Sequence, residues 1–239
     1  MTRRLTNAIS LLGFCLMLSN SAFAQLKDNL ELNFFGAGSI YTKNTYLIGF
    51  PQSATPIPGE MRFQNHARFG ARLGVYTRGH WGQEFFYSFE PNTVRISNAG
   101  PVPTTTDMRL RISNYGANAL YYILETESST FQPFLSAGLG GTLYQIRQES
   151  LVQVRDPAIG NLRDVNNSNE LAFNWGLGFK TYPGGRFGLR LDIRDFIART
   201  PSFGLARQSN NPTATVLPAT GPTNNGELSV GFTIYFGNR

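Results

Sequence analysis

Between Leu30 and Phe236 the chain repeats one pattern eight times: apolar residues at every second position, with polar or small residues between them. A period of two belongs to a β-strand, whose side chains point to opposite faces in turn. The first run sets Leu30, Leu32, Phe34, Gly36, Gly38 and Ile40 against Glu31, Asn33, Phe35, Ala37 and Ser39. The second sets Ala67, Phe69, Ala71, Leu73 and Val75 against His66, Arg68, Gly70, Arg72, Gly74 and Tyr76. The third is Phe85, Tyr87 and Phe89, and the fourth Tyr115, Ala117, Ala119 and Tyr121. Leu110 and Ile112 precede the fourth on the opposite phase, which a bulge near Ser113 would repair. The last four runs span Leu135–Leu143, Leu171–Phe179, Phe187–Ile193 and Leu228–Phe236. Each run is about 10 residues, long enough for a tilted strand to cross the hydrocarbon of a bilayer.

The connections carry a second signal. Thr77 to Trp81, Glu125 to Thr130 and Tyr182 to Arg186 are short. Thr42 to Gln64, Ser97 to Asp107, Gln148 to Asn169 and Arg199 to Asn225 are longer and rich in Pro, Asn, Thr and Gly. Long and short alternate strictly, the asymmetry of barrels with short periplasmic turns and long external loops. The expected fold is all-β: an eight-stranded antiparallel up-and-down transmembrane β-barrel, with both ends on the periplasmic side.

The charges point the same way. Arg68, Arg72, Glu84, Lys180, Arg190, Asp192 and Arg194 all sit opposite the aliphatic faces. Facing lipid near the midplane, each would cost roughly 2–4 kcal/mol. Facing inward, they can pair. An eight-stranded barrel is just wide enough for side chains to fill, so a plugged interior of ion pairs is expected. The competing reading is a selectivity constriction at Arg190, Asp192 and Arg194.

Residues 1–24 read as a cleaved signal peptide: Arg3 and Arg4, an apolar stretch from Ala8 to Leu18, then Ser21-Ala22-Phe23-Ala24 as a cleavage site. Residues 25–239 form the barrel domain. Cys15 is the only cysteine and leaves with the leader, so neither disulfides nor thiolate chemistry is expected. The net charge is +6, but basic residues never form a run of five, which argues against nucleic acid. Abundant Gly (25), Phe (19) and Tyr (10), with only 15% charged residues, suits a barrel in lipid.

Several stretches then resemble a known group. Gly188-Leu189-Arg190-Leu191-Asp192-Ile193-Arg194-Asp195-Phe196 is similar to the penultimate-strand motif of small outer-membrane β-barrel domains in the OmpA-like and OmpX-like superfamily, a porin-type family. Pro133 to Gly141, Phe173 to Lys180 and Asn114 to Tyr121 resemble its neighbouring strands. Gly231, Phe232, Ile234 and Phe236 resemble the C-terminal signal read by the barrel-assembly machinery, although Gly237-Asn238-Arg239 follow the usual final aromatic. The resemblance implies a bacterial outer-membrane location, with lipid and lipopolysaccharide as surroundings and the assembly machinery as a partner during biogenesis.

Enzymes on small barrels pair a nucleophile with a base, generally Ser with His. Outside the leader only His66 and His80 are present, and neither sits in such a motif. No metal or cofactor is expected: there is no paired His spacing, and the Gly-x-Gly pairs Gly36/Gly38 and Gly138/Gly140 lack a following helix. Trp81, Trp175, Tyr87, Tyr121 and Tyr182 read as an aromatic belt before they read as sugar platforms. The expected role is structural, with the external loops as a binding surface for an unnamed ligand. A narrow low-conductance channel is the alternative, and a lipid-modifying enzyme or a soluble ligand-binding barrel follow it.

Overall fold

Alternation with one apolar face drives each run into a strand, and eight such strands escape exposed edges only by closing on themselves. The computed structural model describes residues 30–49, 59–76, 79–97, 105–124, 130–156, 162–211 and 214–236. The leader read over residues 1–24, Cys15 with it, and Gly237-Asn238-Arg239 lie outside the described residues.

In chain order the strands are β1 (Leu30–Tyr41), β2 (Thr45–Ile48), β3 (Gly59–Phe63), β4 (Ala67–Tyr76), β5 (Trp81–Ser97) and β6 (Thr105–Tyr122). They continue as β7 (Phe131–Ile146), β8 (Ser168–Gly184), β9 (Phe187–Arg199) and β10 (Pro222–Tyr235), with a helix α1 (Gln148–Arg155) between β7 and β8. All pairings between these strands are antiparallel. Eight strands close the barrel: β1 pairs with β10 and β4, and β5 pairs with β6. The β2–β3 hairpin lies within the long connection from Thr42 to Gln64, and β3 pairs with the upper end of β5.

Four strands are longer than the runs suggest. β5, β6, β7 and β8 have 17, 18, 16 and 17 residues. At roughly 3.3 Å per residue and ~45° tilt, such a strand climbs about 40 Å, against a hydrocarbon core of ~30 Å. Their upper ends therefore stand above any bilayer that the lower barrel occupies.

This length corrects the expected bulge near Ser113. Pairing runs unbroken through Ser113 on both sides, to Phe89 of β5 and Leu143 of β7. What changes is the surroundings. Below Ser113, β6 turns Tyr115, Ala117, Ala119 and Tyr121 outward and Asn118 and Asn114 inward. Above it, Asp107, Arg109 and Arg111 are exposed, and Met108, Leu110 and Ile112 are buried. The opposite phase of Leu110 and Ile112 is a reversal of which side is dry. The register shift that does occur lies in β8, between Thr181 and Gly184.

Two cores result. The upper one is apolar and gathers strand ends, loops and α1 around Phe63, which packs on Tyr41, Tyr144 and Phe203 with ring centroids at 5.4, 6.1 and 6.3 Å. α1 adds Val154, fully buried, and carries Glu149 in its first turn and Arg155 in its last, as the helix dipole favours. The lower core is polar. Its wall is tightest between β6 and β7, where a Cβ on Gly138 or Gly140 would come within 2.1 or 1.9 Å of the carbonyl oxygens of Ala117 and Tyr115. Only glycine permits that approach.

Candidate functional site

Strand spacing decides what fills the lower barrel. Residues two apart share a face, so β4 supplies Arg68 and Arg72 and β9 supplies Arg190, Asp192 and Arg194, all inward. Lys180 comes from β8 and Glu84 from β5. All seven are at most 2% exposed. Sequence reasoning did not single out three further carboxylates that complete the set: Glu31 of β1, Glu90 of β5 and Glu227 of β10, also at most 2% exposed. Among the described residues, the fully buried charges are thus five cations and five anions.

They form one chain of contacts down the barrel. Arg68 bridges Glu90 at 2.7 Å and Glu227 at 3.1 Å. Arg72 joins Glu227 at 2.9 Å to Asp192 at 3.0 Å, and donates to Asn33 and Ser229. Asp192 meets Arg190 at 2.7 Å, and Glu84 lies 2.6 Å from Arg190 and 2.7 Å from Arg194. At the lower end Glu31 accepts from Lys180, Tyr76 and Tyr182. The missed carboxylates share their faces with polar neighbours. Glu31 precedes Asn33 on one face, Glu227 lies one residue before the run at Leu228, and Glu90 lies one after Phe89. Runs drawn from their apolar residues stop short of both latter positions.

Aromatic rings space the guanidinium groups. Arg72 lies 3.6 Å over the Phe35 ring, Arg190 4.6 Å over Phe134 and Arg68 5.5 Å over Phe196. Such stacking uses the planar face of the cation while its edge pairs with carboxylates. The turn end is closed by Tyr76, Tyr122, Tyr182 and Tyr235 with Leu120 and Phe134. Lys180 donates to the Tyr122 hydroxyl at 2.8 Å in that cluster. The other end is closed by the apolar core around Phe63.

The outward face is the complement. Over the lower barrel it presents Phe, Leu, Ile, Val, Trp and Tyr, many half-exposed; the charged exception among the described residues is Asp195 of β9, which accepts a hydrogen bond from Asn224 at 3.0 Å. Exposed apolar area on that scale requires a covering. Trp81 and Tyr121 meet at 5.1 Å near the turn end, beside His80. Tyr182 differs from the expected belt: it points inward onto Glu31, because it shares the face of Lys180. His80 Nδ1 lies 2.8 Å from the Tyr122 carbonyl, and the His66 carbonyl accepts from Ser39. Neither ring adjoins a Ser hydroxyl among the described hydrogen bonds. Among the described residues, no group of three or more His, Cys, Asp or Glu is placed to hold a metal ion.

Of the C-terminal motif, Phe232 and Phe236 are exposed on the outer face, and Ile234 lies half-buried beside them. Phe232 stacks on Phe187 at 5.5 Å. Gly231 faces inward against the Asn33 amide. The backbone N–H of Phe236 donates to Leu30, sealing the β1–β10 seam.

No family model and no curated protein matches the chain. Among solved structures, the outer membrane protein OprG from Pseudomonas aeruginosa superposes with a TM-score of 0.56 at 14% identity, over 89% of this chain and 98% of OprG. Neisserial surface protein A matches with a TM-score of 0.47 at 13% identity, over 86% and 96% of the two chains. Ail of Yersinia pestis, crystallised with a heparin analogue, matches at 0.41 and 9%, over 87% and 99%. The likeness to OprG is one of fold: the chain is a closed eight-stranded barrel of the outer-membrane type.

Proposed function

We propose that this protein is a bacterial outer-membrane barrel that serves as a sealed anchor, with its working surface in the external lobe built by the long connections. One observation carries this reading: the interior is occupied by ten mutually compensating charges, capped by apolar side chains above and tyrosines below. A solute crossing such a barrel has to break pairs whose partners remain buried, at about 3–5 kcal/mol per broken pair. The rigid barrel positions the loops, and loops on a rigid scaffold are where binding usually resides. The apolar outer band favours insertion in lipid, and the C-terminal aromatics favour delivery by the barrel-assembly machinery. Residues 1–24 act as the export leader in this reading, and the barrel carries out no chemistry of its own.

The test is planar-bilayer recording on the folded chain, with folding verified by heat-modifiable migration on a gel. The expected record is silent. Discrete steps that change with Arg190→Ala or Arg194→Ala would sink the sealed-anchor reading. They would support a narrow channel, which one observation favours. On the β6–β8 side of the interior, Asn114, Asn118, Ser136 and Asn174 have buried polar atoms without a protein partner, a lining suited to a thin file of water.

A further inference from the structure

Two features of the outer wall meet where the strands leave the apolar band. The first is a shallow groove of about 530 Å³ on β1, β4 and β5. Phe34, Phe69, Tyr87 and Phe89 line it together with the small residues Gly36 and Ala71. A Cβ added at Gly36 would meet nothing within 4 Å, so the groove is open there to whatever lies outside.

The second feature is a sector of arginines just above it. The outward face of β5 continues from Phe89 through Pro91 and Thr93 to Arg95, at roughly 7 Å per two residues. Arg111 pairs across from Pro91, Arg109 from Thr93, and Arg62 of β3 from Arg95. Arg62, Arg95, Arg109 and Arg111 are all exposed, and Arg147 follows at the end of β7. Asp107 is the partner of Arg95, at 2.9 Å. Arg111 donates to the neutral Gln145 at 2.6 Å and keeps its charge uncompensated. Glu60 and Glu149 are the other acids of the sector, so arginines outnumber carboxylates five to three.

We propose that this wall seats one phosphorylated lipid of the outer leaflet, with its phosphates on Arg62, Arg109 and Arg111 and an acyl chain in the groove lined by Gly36. Charge complementarity and the continuity of the two features select the occupant. A free phosphate or a sulfated saccharide satisfies the arginines and leaves the groove empty of purpose. A neutral lipid fills the groove and leaves the arginines to water. An anionic lipid with several chains engages both, and guanidinium groups suit phosphate by their forked donors. The inference rests on the outer-membrane reading above and assigns the lipid to one wall of the barrel and to named side chains.

The experiment uses the full chain, expressed with residues 1–24 in a Gram-negative host and extracted from outer membranes. Native mass spectrometry then follows titration with bisphosphorylated lipid A and with the same lipid after dephosphorylation. One lipid A is retained, at least about tenfold more tightly than its dephosphorylated form. Arg62→Gln, Arg109→Gln and Arg111→Gln together weaken retention about 100-fold, whereas Arg163→Gln, Arg186→Gln and Arg199→Gln together leave it unchanged. Gly36→Leu, whose Cβ has open space in the groove, weakens it about tenfold with all arginines intact. Heat-modifiable migration of each variant separates lost binding from lost folding. Equal retention of the two lipids, or folded variants that bind like the parent, overturns the seat and leaves the anchor reading standing. Heparin binding through the same arginines without any lipid retention overturns it in favour of a soluble polysaccharide. A chain absent from the outer membrane overturns both readings.

Discussion

The lower barrel and the upper lobe are built on the same strands and have opposite interiors. Below Ser113 the inside holds ten charges and the outside is mostly apolar side chains; above it the inside is Met108, Leu110, Ile112, Phe63 and Phe203, and the outside is arginine, aspartate and glutamine. An apolar core is favourable only where the alternative is water. Where the outside is lipid, burying Leu in the barrel gains little, and the polar residues take the interior because outside they cost more. β6 crosses from one regime to the other without a change in its pairing. What counts as a core therefore depends on the solvent beyond the wall.

The comparison breaks most visibly if one carboxylate is removed from the lower interior. Glu84 sits between Arg190 and Arg194, so Glu84→Ala removes the nearest carboxylate of both buried guanidinium groups and leaves Asp192 to serve the two, at 2.7 Å from Arg190 but 3.6 Å from Arg194. The expected loss is about 3–5 kcal/mol, read from urea unfolding in lipid vesicles. The double variant Glu84→Ala/Arg194→Ala is expected to lose less than the sum of its parts, since the second change removes a stranded charge.

Phe63→Ala tests the upper interior at a similar cost, about 3–4 kcal/mol, in a different place. The lobe loosens while the barrel holds. Limited proteolysis of the external connections accelerates, and heat-modifiable migration is retained. Loss of both together would mean that the two regions unfold as one unit.

A third prediction sharpens the boundary itself. Ala117→Arg places a charge on the outer face in the lipid band, at roughly 2–4 kcal/mol. Thr105→Arg places the same charge on an exposed outer face above the band, opposite Ser97, and changes stability by less than about 0.5 kcal/mol. Equal effects would refute a lipid boundary between them.

The smallest effect belongs to Arg95 and Asp107, above the band. Hydrogen bonds from the Arg95 guanidinium hold the Asp107 carboxyl below its usual range. A depressed carboxyl contributes what stability it has above its unfolded pKa and loses it as pH falls through the folded value. The pair is exposed, so the unfolding midpoint of Arg95→Gln is expected to match the parent at neutral pH. The carboxyl resonance of Asp107 in that variant titrates at a higher pH.

The alternation of Leu, Phe and Ile with small or polar residues was enough to place eight strands and close them, because a period of two leaves one face dry and the other free for charge. Arg68, Arg72, Lys180, Arg190 and Arg194 were legible as inward for the same reason. Their compensation was less so. The notable signs were Glu31, Glu90 and Glu227, each on the correct face, but the latter two lie just past the runs that the apolar residues mark. The β2–β3 hairpin and α1 fall in connections whose Pro, Asn and Gly content reads as loop; they are held by packing on the core around Phe63.

The sequence by itself determined the periodicity, the strand count and the segregation of charge, since all three follow from which neighbours share a face. Only the tertiary structure decided which charges meet. Arg72, Glu227 and Asp192 come together from β4, β10 and β9, far apart in the chain, because closing the barrel brings three inward faces to one axis. It also decided where the outer face of β6 passes from apolar to charged, for that depends on the height at which the barrel interior turns from polar to apolar.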